Sequence, residues 1–301
     1  SNLERLFDMN RTYLKEHSRT AAPPIFSQTT KKMSSDMIRA EKAAATKACL
    51  AHFVDFHYDL FEPSNDSLLP SKMDGVIRSL ESLLHASAFG DSLLVKMVLI
   101  NTFSVERARA SQADVKIQVS TDFFWRFGQI LLERLNTGLA LVVEKAGKQP
   151  NTIRVLQPLL IQLEYVRHDV GAIQMTSNGD FLRSLAIAAT YMQQLFNVSE
   201  ISEVKSESES ESTELSILKG YKPFAALNLS YCNGSPFIGA NDAVFVLDLQ
   251  PTQSQPSSKQ KDENLARVAH FIKVSRSLAI SFNHDQESTA AAPECNTNES
   301  Y

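Results

Sequence analysis

Apolar residues recur every three or four positions along most of residues 2–196, and polar breaks divide that pattern into successive helices. The densest stretch is 92–106. There Leu93, Leu94, Met97, Val98, Leu99, Ile100, Phe103 and Val105 leave no polar face wide enough for a surface helix, so the spacing predicts a central helix covered on several sides. Leu94, Met97, Val98 and Val105 are expected in the core. Asn101, in the middle of the run, is then the position that needs a hydrogen-bond partner across a helix contact.

Ahead of this stretch, Leu3, Leu6, Phe7 and Leu14 predict a helix over 2–17, ended by Pro23 and Pro24. Asp36 can cap a long second helix over 37–61, whose later half, with Phe53, Val54, Phe56, Leu60 and Phe61, should be the better buried. Met73, Val76, Ile77, Leu80, Leu83 and Leu84 predict a third helix to about His85. Gly90 as its C-cap and Asp91 as the next N-cap would fold the third and fourth helices into a tight antiparallel hairpin, the fourth ending near Ala110.

Ser120 or Thr121 is the expected cap of the next helix, where Phe123, Phe124, Phe127, Ile130, Leu131, Leu135, Leu139, Val142 and Val143 form one stripe that Gly147 and Pro150 close. Gly128 and Gly138 each cost about 1 kcal/mol relative to alanine inside a helix, and close approach of another helix is the usual reason to accept that. Pro158 should kink or divide the segment 152–168 near Val155, or delay its helix to Pro158 itself. Residues 181–196 form a further amphipathic helix, capped by Asn178 or Asp180. These helices, 1–198, make one helical-hairpin domain. An acidic Ser/Glu loop at 199–214 follows, whose Ser206–Ser212 core suits an acidophilic kinase, although a solvated insertion without a regulatory role is the plainer reading. Residues 215–282 are expected to pack on the same domain as irregular chain and a final helix with Leu265, Val268, Phe271, Ile272 and Leu278 on one face and Arg267, Lys273 and Arg276 among its charges. Within it, 243–249 fits a short strand or a helical turn equally. Residues 283–301, low in hydrophobics, are expected to form a disordered tail.

Composition narrows the function. With 43% hydrophobic residues among 301 the chain can bury a large core, and 30 basic against 34 acidic side chains give −4, no global pull toward phosphate backbones or anionic lipid. A nucleic-acid role therefore needs a local patch. Three scattered cysteines, Cys49, Cys232 and Cys295, favour a reducing compartment. No apolar run approaches the roughly 20 residues of a membrane span, and sequons such as that at Asn228 are expected to stay idle. The chain starts without Met and in helical pattern at once, which suggests that an N-terminal part is missing.

Catalytic constellations are absent from the sequence. His52 and His57, five apart on one helix, turn away from each other, whereas two ligands to one metal want a spacing of three or four. Cys49 reads as a small core residue rather than a reactive thiol. Phe123, Phe124, Trp125 and Phe127 beside Arg126 could form a stacking platform for bases, but at helical spacing core packing is the stronger reading. No catalytic, cofactor, metal or phosphopeptide-binding residue is assigned, no cofactor is expected, and the chain is read as not an enzyme.

Three segments in order, Asn2-Leu-Glu-Arg-Leu-Phe-Asp-Met-Asn-Arg11, Phe53-Val-Asp-Phe-His-Tyr-Asp-Leu-Phe61 and Ser92-Leu-Leu-Val-Lys-Met-Val-Leu-Ile-Asn-Thr-Phe103, resemble successive helices of the nonsense-mediated-decay adaptors SMG five, six and seven and of the telomerase accessory protein Est-one. Leu218-Lys-Gly-Tyr-Lys-Pro-Phe224 resembles the irregular segment after the family's last long helices. The resemblance implies an all-α, solenoid-like stack of antiparallel helical hairpins following a 14-3-3-like domain of tetratricopeptide type. It implies a non-enzymatic adaptor of messenger RNA surveillance, cytoplasmic with shuttling to the nucleus, closest to members five and seven. The implied partners are phosphorylated Upf RNA helicase, bound through the missing N-terminal domain, a second family member as heterodimer partner, and phosphatase or mRNA-decay factors. A telomerase-associated single-strand nucleic-acid binder is the alternative within the family, and an unrelated solenoid interaction domain the alternative outside it.

Overall fold

The computed structural model describes residues 35–61, 66–144, 155–168, 179–196 and 267–279, with single positions at 9, 12 and 265. All regular structure among them is helical. In chain order the helices are α1 (Ser35–Asp59), a 3₁₀ turn (Asp66–Leu68), α2 (Leu69–His85), α3 (Asp91–Ser111), α4 (Asp114–Glu144), α5 (Leu156–His168), α6 (Gly179–Leu195) and α7 (267–279). The all-α, solenoid-like fold read from the sequence is the fold observed. The expected helix at 2–17 falls outside the described residues except for Met9 and Thr12, both helical, and the expectations for 199–264 and 280–301 fall outside them as well.

The centre of the molecule is not α3. Helix α4, 31 residues long, packs against α2, α3, α5 and α6 and is the common wall of the stack. Helix α5 is the most completely enclosed, since Val155 through Val166 are buried at every position except Gln157. Helix α3 does bury Leu94, Val95, Met97, Val98 and Val105, but Leu93, Leu99, Ile100 and Phe103 reach partly into solvent. A leucine taken fully out of water contributes about 1.5–3 kcal/mol, so Leu156, Leu159, Leu160 and Leu163 make α5 a major source of cohesion.

Helix boundaries differ from the expected ones in instructive places. Helix α2 ends at Ala86 in a Schellman motif: Ser87 adopts the left-handed region (φ 51°), its N–H donates to the Leu84 carbonyl, and the Ala88 N–H donates to Leu83. Gly90 is thus not the C-cap of α2 but the extended N-cap of α3, and Asp91 is inside the helix. Nor do α2 and α3 form the expected hairpin, because α2 lies mainly against α1 and α4 while α3 lies against α4 and α5. Helix α4 begins at Asp114, so Ser120 and Thr121 are interior residues, and buried Ser120 satisfies its hydroxyl on the Ile117 carbonyl. Pro158 sits in the first turn of α5, where a missing N–H leaves no intrahelical bond unmade, so the helix runs unbroken from Leu156. Val155, just before it, takes the left-handed region (φ 60°), and its N–H donates to Asp91 Oδ1 at the start of α3 (3.2 Å).

The two glycines of α4 separate cleanly. A Cβ on Gly128 would overlap Gln162 Nε2 and lie 3.0 Å from its Cδ, and that amide is buried and donates to the Phe124 carbonyl at 2.7 Å. Close approach of α5 is therefore the reason for Gly128. Gly138 has open space around it and no such reason. Gly128→Ala is expected to lose about 1–2 kcal/mol of stability, because displacing Gln162 outweighs the roughly 1 kcal/mol gained in helix propensity. In a Gln162→Ala background the same substitution should stabilise, and urea unfolding of the four proteins of the cycle reads the sign change.

Asn101 is completely buried, and neither its amide nitrogen nor its oxygen finds a hydrogen-bond partner among the described residues. The expected partner across the helix contact is not there. Asn101→Leu, close in shape, is accordingly expected to raise stability by about 1–3 kcal/mol, measured as an increased urea midpoint at unchanged slope.

Candidate functional site

The residues singled out in the sequence go mostly to the interior. His57 is fully buried among the rings of Phe53 (4.3 Å between centroids), Phe56 (5.0 Å) and Phe123 (5.2 Å). Its Nδ1 lies 2.9 Å from Ser104 Oγ, whose own proton goes to the Ile100 carbonyl, so the hydroxyl accepts and the ring carries its proton on Nδ1. The bare Nε2 faces apolar groups, and burial pushes the imidazole down to about 3. His52 is half-buried beside Asp55 and Lys72, so the structure does not bring the two histidines together. Cys49 has no exposure, and burial pushes its thiol up to about 12, which leaves it without thiolate at neutral pH. Phe123, Phe124, Trp125 and Phe127 are all buried, which overturns the stacking-platform reading of that group.

Ionisable groups do meet in a seam around α5. Tyr165 donates its hydroxyl to the Glu106 carboxylate on α3, and Arg109 donates to the same Oε1 (3.1 Å) and to the Tyr165 oxygen (3.2 Å). One residue away, Glu164, only 2% exposed, receives Arg167 at 2.7 Å on one oxygen and approaches His270 Nε2 of α7 at 2.5 Å with the other. That second approach is a hydrogen bond when the ring nitrogen carries a proton. Together with Val268, Phe271, Ile272, Val274 and Leu278, which join the common core, it docks α7 on the stack. The seam holds helices together.

The open site lies at the corner where the end of α1, the 3₁₀ turn, the end of α3 and the start of α4 converge. A cleft of about 520 Å³ is lined there by Leu60, Phe61, Asp66, Arg107, Ala110, Ser111, Ala113 and Lys116. Local sequence builds it: α3 ends with Gln112 in the left-handed region (φ 54°), and a two-residue corner reverses the chain into α4, which sets Ser111 and Ala113 on the rim. Lys116 forms the floor, 7% exposed, with its ammonium 3.9 Å from Asp66 Oδ1. Arg107 is exposed and has no ion pair among the described residues. Phe61 stands half-buried on one wall, its ring 5.8 Å from that of Phe103 at 45°. Two cations, a braced aromatic and a carboxylate around a nucleotide-sized space are the chemistry of a polyanion site with one apolar wall.

A family model described as the Est1 DNA/RNA binding domain matches residues 1–226. The chain belongs to this family. No curated protein and no solved structure gives a significant match. The Est1 match takes in α1 to α6 and stops short of α7, so the helix that docks on Glu164 lies beyond the matched residues. Two of the segments that resemble the family, 53–61 and 92–103, end on Phe61 and Phe103, the touching pair beside the cleft. Sequence reading missed this cleft. Its one visible signal was the pair of aromatics that end those two segments.

Proposed function

We propose that this chain is the helical scaffold of a non-enzymatic adaptor in messenger RNA surveillance. The observation that carries the reading is the Est1-family match across all of α1 to α6. A scaffold role also fits the seam, where Tyr165 meets Glu106 and His270 meets Glu164 across helix contacts and so help to hold the stack together. Such a scaffold works by holding partners: phosphorylated Upf RNA helicase, a second family member, and phosphatase or decay factors, in the cytoplasm with shuttling to the nucleus. The test is a pull-down with the full-length natural protein. Capture of phosphorylated but not dephosphorylated Upf helicase is expected, and equal or absent capture of both forms overturns the proposal.

A second reading, a telomerase-associated binder of single-stranded nucleic acid, is favoured by the family's DNA/RNA-binding description and by the cleft beside Phe61. It predicts retention of the chain on single-stranded oligonucleotide at low salt, falling steeply as salt rises.

A further inference from the structure

We propose that the cleft between α1, α3 and α4 is an entry site for single-stranded nucleic acid, in which one base stacks on Phe61, Arg107 takes an adjacent phosphate, and Lys116 and Asp66 line the floor. The inference rests on the nucleic-acid reading above and adds the residues that would carry it.

Three features converge on this occupant. The first is charge: the chain as a whole carries −4, so an anion is attracted only where cations stand locally exposed. Arg107 is such a cation, and its acidic neighbour Glu106 is turned away, occupied by Tyr165 and Arg109. The second is the aromatic wall. The Phe61 ring borders the cavity and is braced from behind by Phe103, an arrangement that fixes an apolar plane without closing it off. Stacking on a base uses such a plane and tolerates any sequence, because every base has a π-face. The third is Asp66, 44% exposed at its side chain and opposite the lysine. The side chains of an acidic peptide bring further carboxylates toward Asp66, which repel it, and no ring to stack on Phe61. A nucleotide brings N–H donors on its base and, in RNA, the 2′-hydroxyl, which a carboxylate accepts.

The exposed stripe of α3 gives the strand a path. Lys96, Phe103 and Arg107 are spaced by seven and four residues, which places them along one side of the helix over about 16 Å. A strand leaving the cleft at Arg107 and running back along α3 passes Phe103 and then Lys96.

The experiment is fluorescence anisotropy of the 301-residue chain with short labelled oligo(dT) and oligo(rU), titrated between about 50 and 200 mM salt. Phe61→Ala is expected to weaken binding by at least about fivefold, the lower end for loss of one stacked base. Arg107→Gln is expected to flatten the logarithmic salt dependence by about 0.7, one phosphate contact on a single strand. Arg183→Gln, exposed on α6 and away from the cleft, should change neither. Circular dichroism melts establish that each variant is folded, and Arg107, being exposed, removes no core contact. Wild-type binding that both cleft variants leave unchanged in affinity and slope overturns the site while the nucleic-acid reading stands. Absence of wild-type binding to either oligonucleotide at the lowest salt overturns both together. Binding of a polyglutamate peptide but of neither oligonucleotide, lost in Arg107→Gln, would assign the cleft to acidic protein segments and also overturn the proposal.

Discussion

Truncation of Phe123 to alanine is expected to destabilise the fold by about 3–5 kcal/mol, the upper end of what removing one buried side chain costs. Phe123 has no exposure and ties α4 to α1 through ring contacts with Phe56 (4.9 Å), His57 (5.2 Å) and Phe53 (5.9 Å), with Phe127 at 6.0 Å on its own helix. Its removal forfeits the transfer free energy of a phenyl group and leaves a cavity that neighbours on two different helices cannot collapse together to fill. Urea unfolding followed by circular dichroism reads the loss as a lower midpoint. The folded fraction should bind oligonucleotide as the wild type does. A Phe123→Ala protein of undiminished stability and abolished oligonucleotide binding would restore the stacking-platform role to this aromatic cluster and remove it from the core. Phe61→Ala is the converse case, a half-buried ring whose loss should register in binding far more than in stability.

These two phenylalanines show what periodicity can and cannot reveal. The stripe from Phe123 to Leu139 announces a buried face because its neighbours repeat at helical spacing, and the structure buries it. The same rule located α1 and α2 closely and placed Leu94, Met97, Val98 and Val105 in the core. It failed where tertiary contacts override local pattern. The first turns of α4 hold β-branched Val115, Ile117 and Val119, poor helix formers, yet the helix begins at Asp114, where burial of Val119 offsets their low propensity. In α5, Gln162, Glu164 and Tyr165 stand among the apolar residues of the sequence. Those three are nonetheless buried on partners mostly far away in sequence: Gln162 on Phe124, 38 residues off, Tyr165 on Glu106, 59 off, and Glu164 on His270, 106 off, besides Arg167 one turn along its own helix. Gly128 and Gly138 carry the same expectation of a close helix approach, which holds at Gly128 and fails at Gly138, since helix propensity carries no record of where the next helix lies. The cleft is the extreme case. Leu60, Asp66, Arg107 and Lys116 come from four separate pieces of chain, and nothing in any one of them marks a site.

Acid sensitivity should trace to one buried ring. His57 is held neutral in the folded state, its imidazole pushed down to about 3 by burial, while in the unfolded chain it titrates near the ordinary 6.5. Between those values the unfolded state binds a proton that the folded state refuses, so stability is complete above about pH 6.5 and is lost as pH falls toward about 3. The full span corresponds to a loss on the order of 5 kcal/mol, comparable with the Phe123 truncation. The direction follows from geometry as well: protonation would place a charge on Nε2, which has no acceptor among the described residues and is surrounded by Phe53, Phe56 and Phe123. Half-buried His52, also held below its usual range chiefly by burial, adds in the same sense. The check is urea unfolding of wild type and His57→Asn at several pH values from neutral to about 4. Asparagine keeps a donor where Nδ1 stands toward Ser104 but cannot titrate, so carboxylates contribute equally to both proteins and the difference between the two curves isolates the ring. The variant should be the less stable at neutral pH, for loss of packing, and the gap should narrow as pH falls. Parallel curves would mean that His57 takes up its proton in the folded protein, and that the aromatic pocket formed by α1 and α4 opens to water near it.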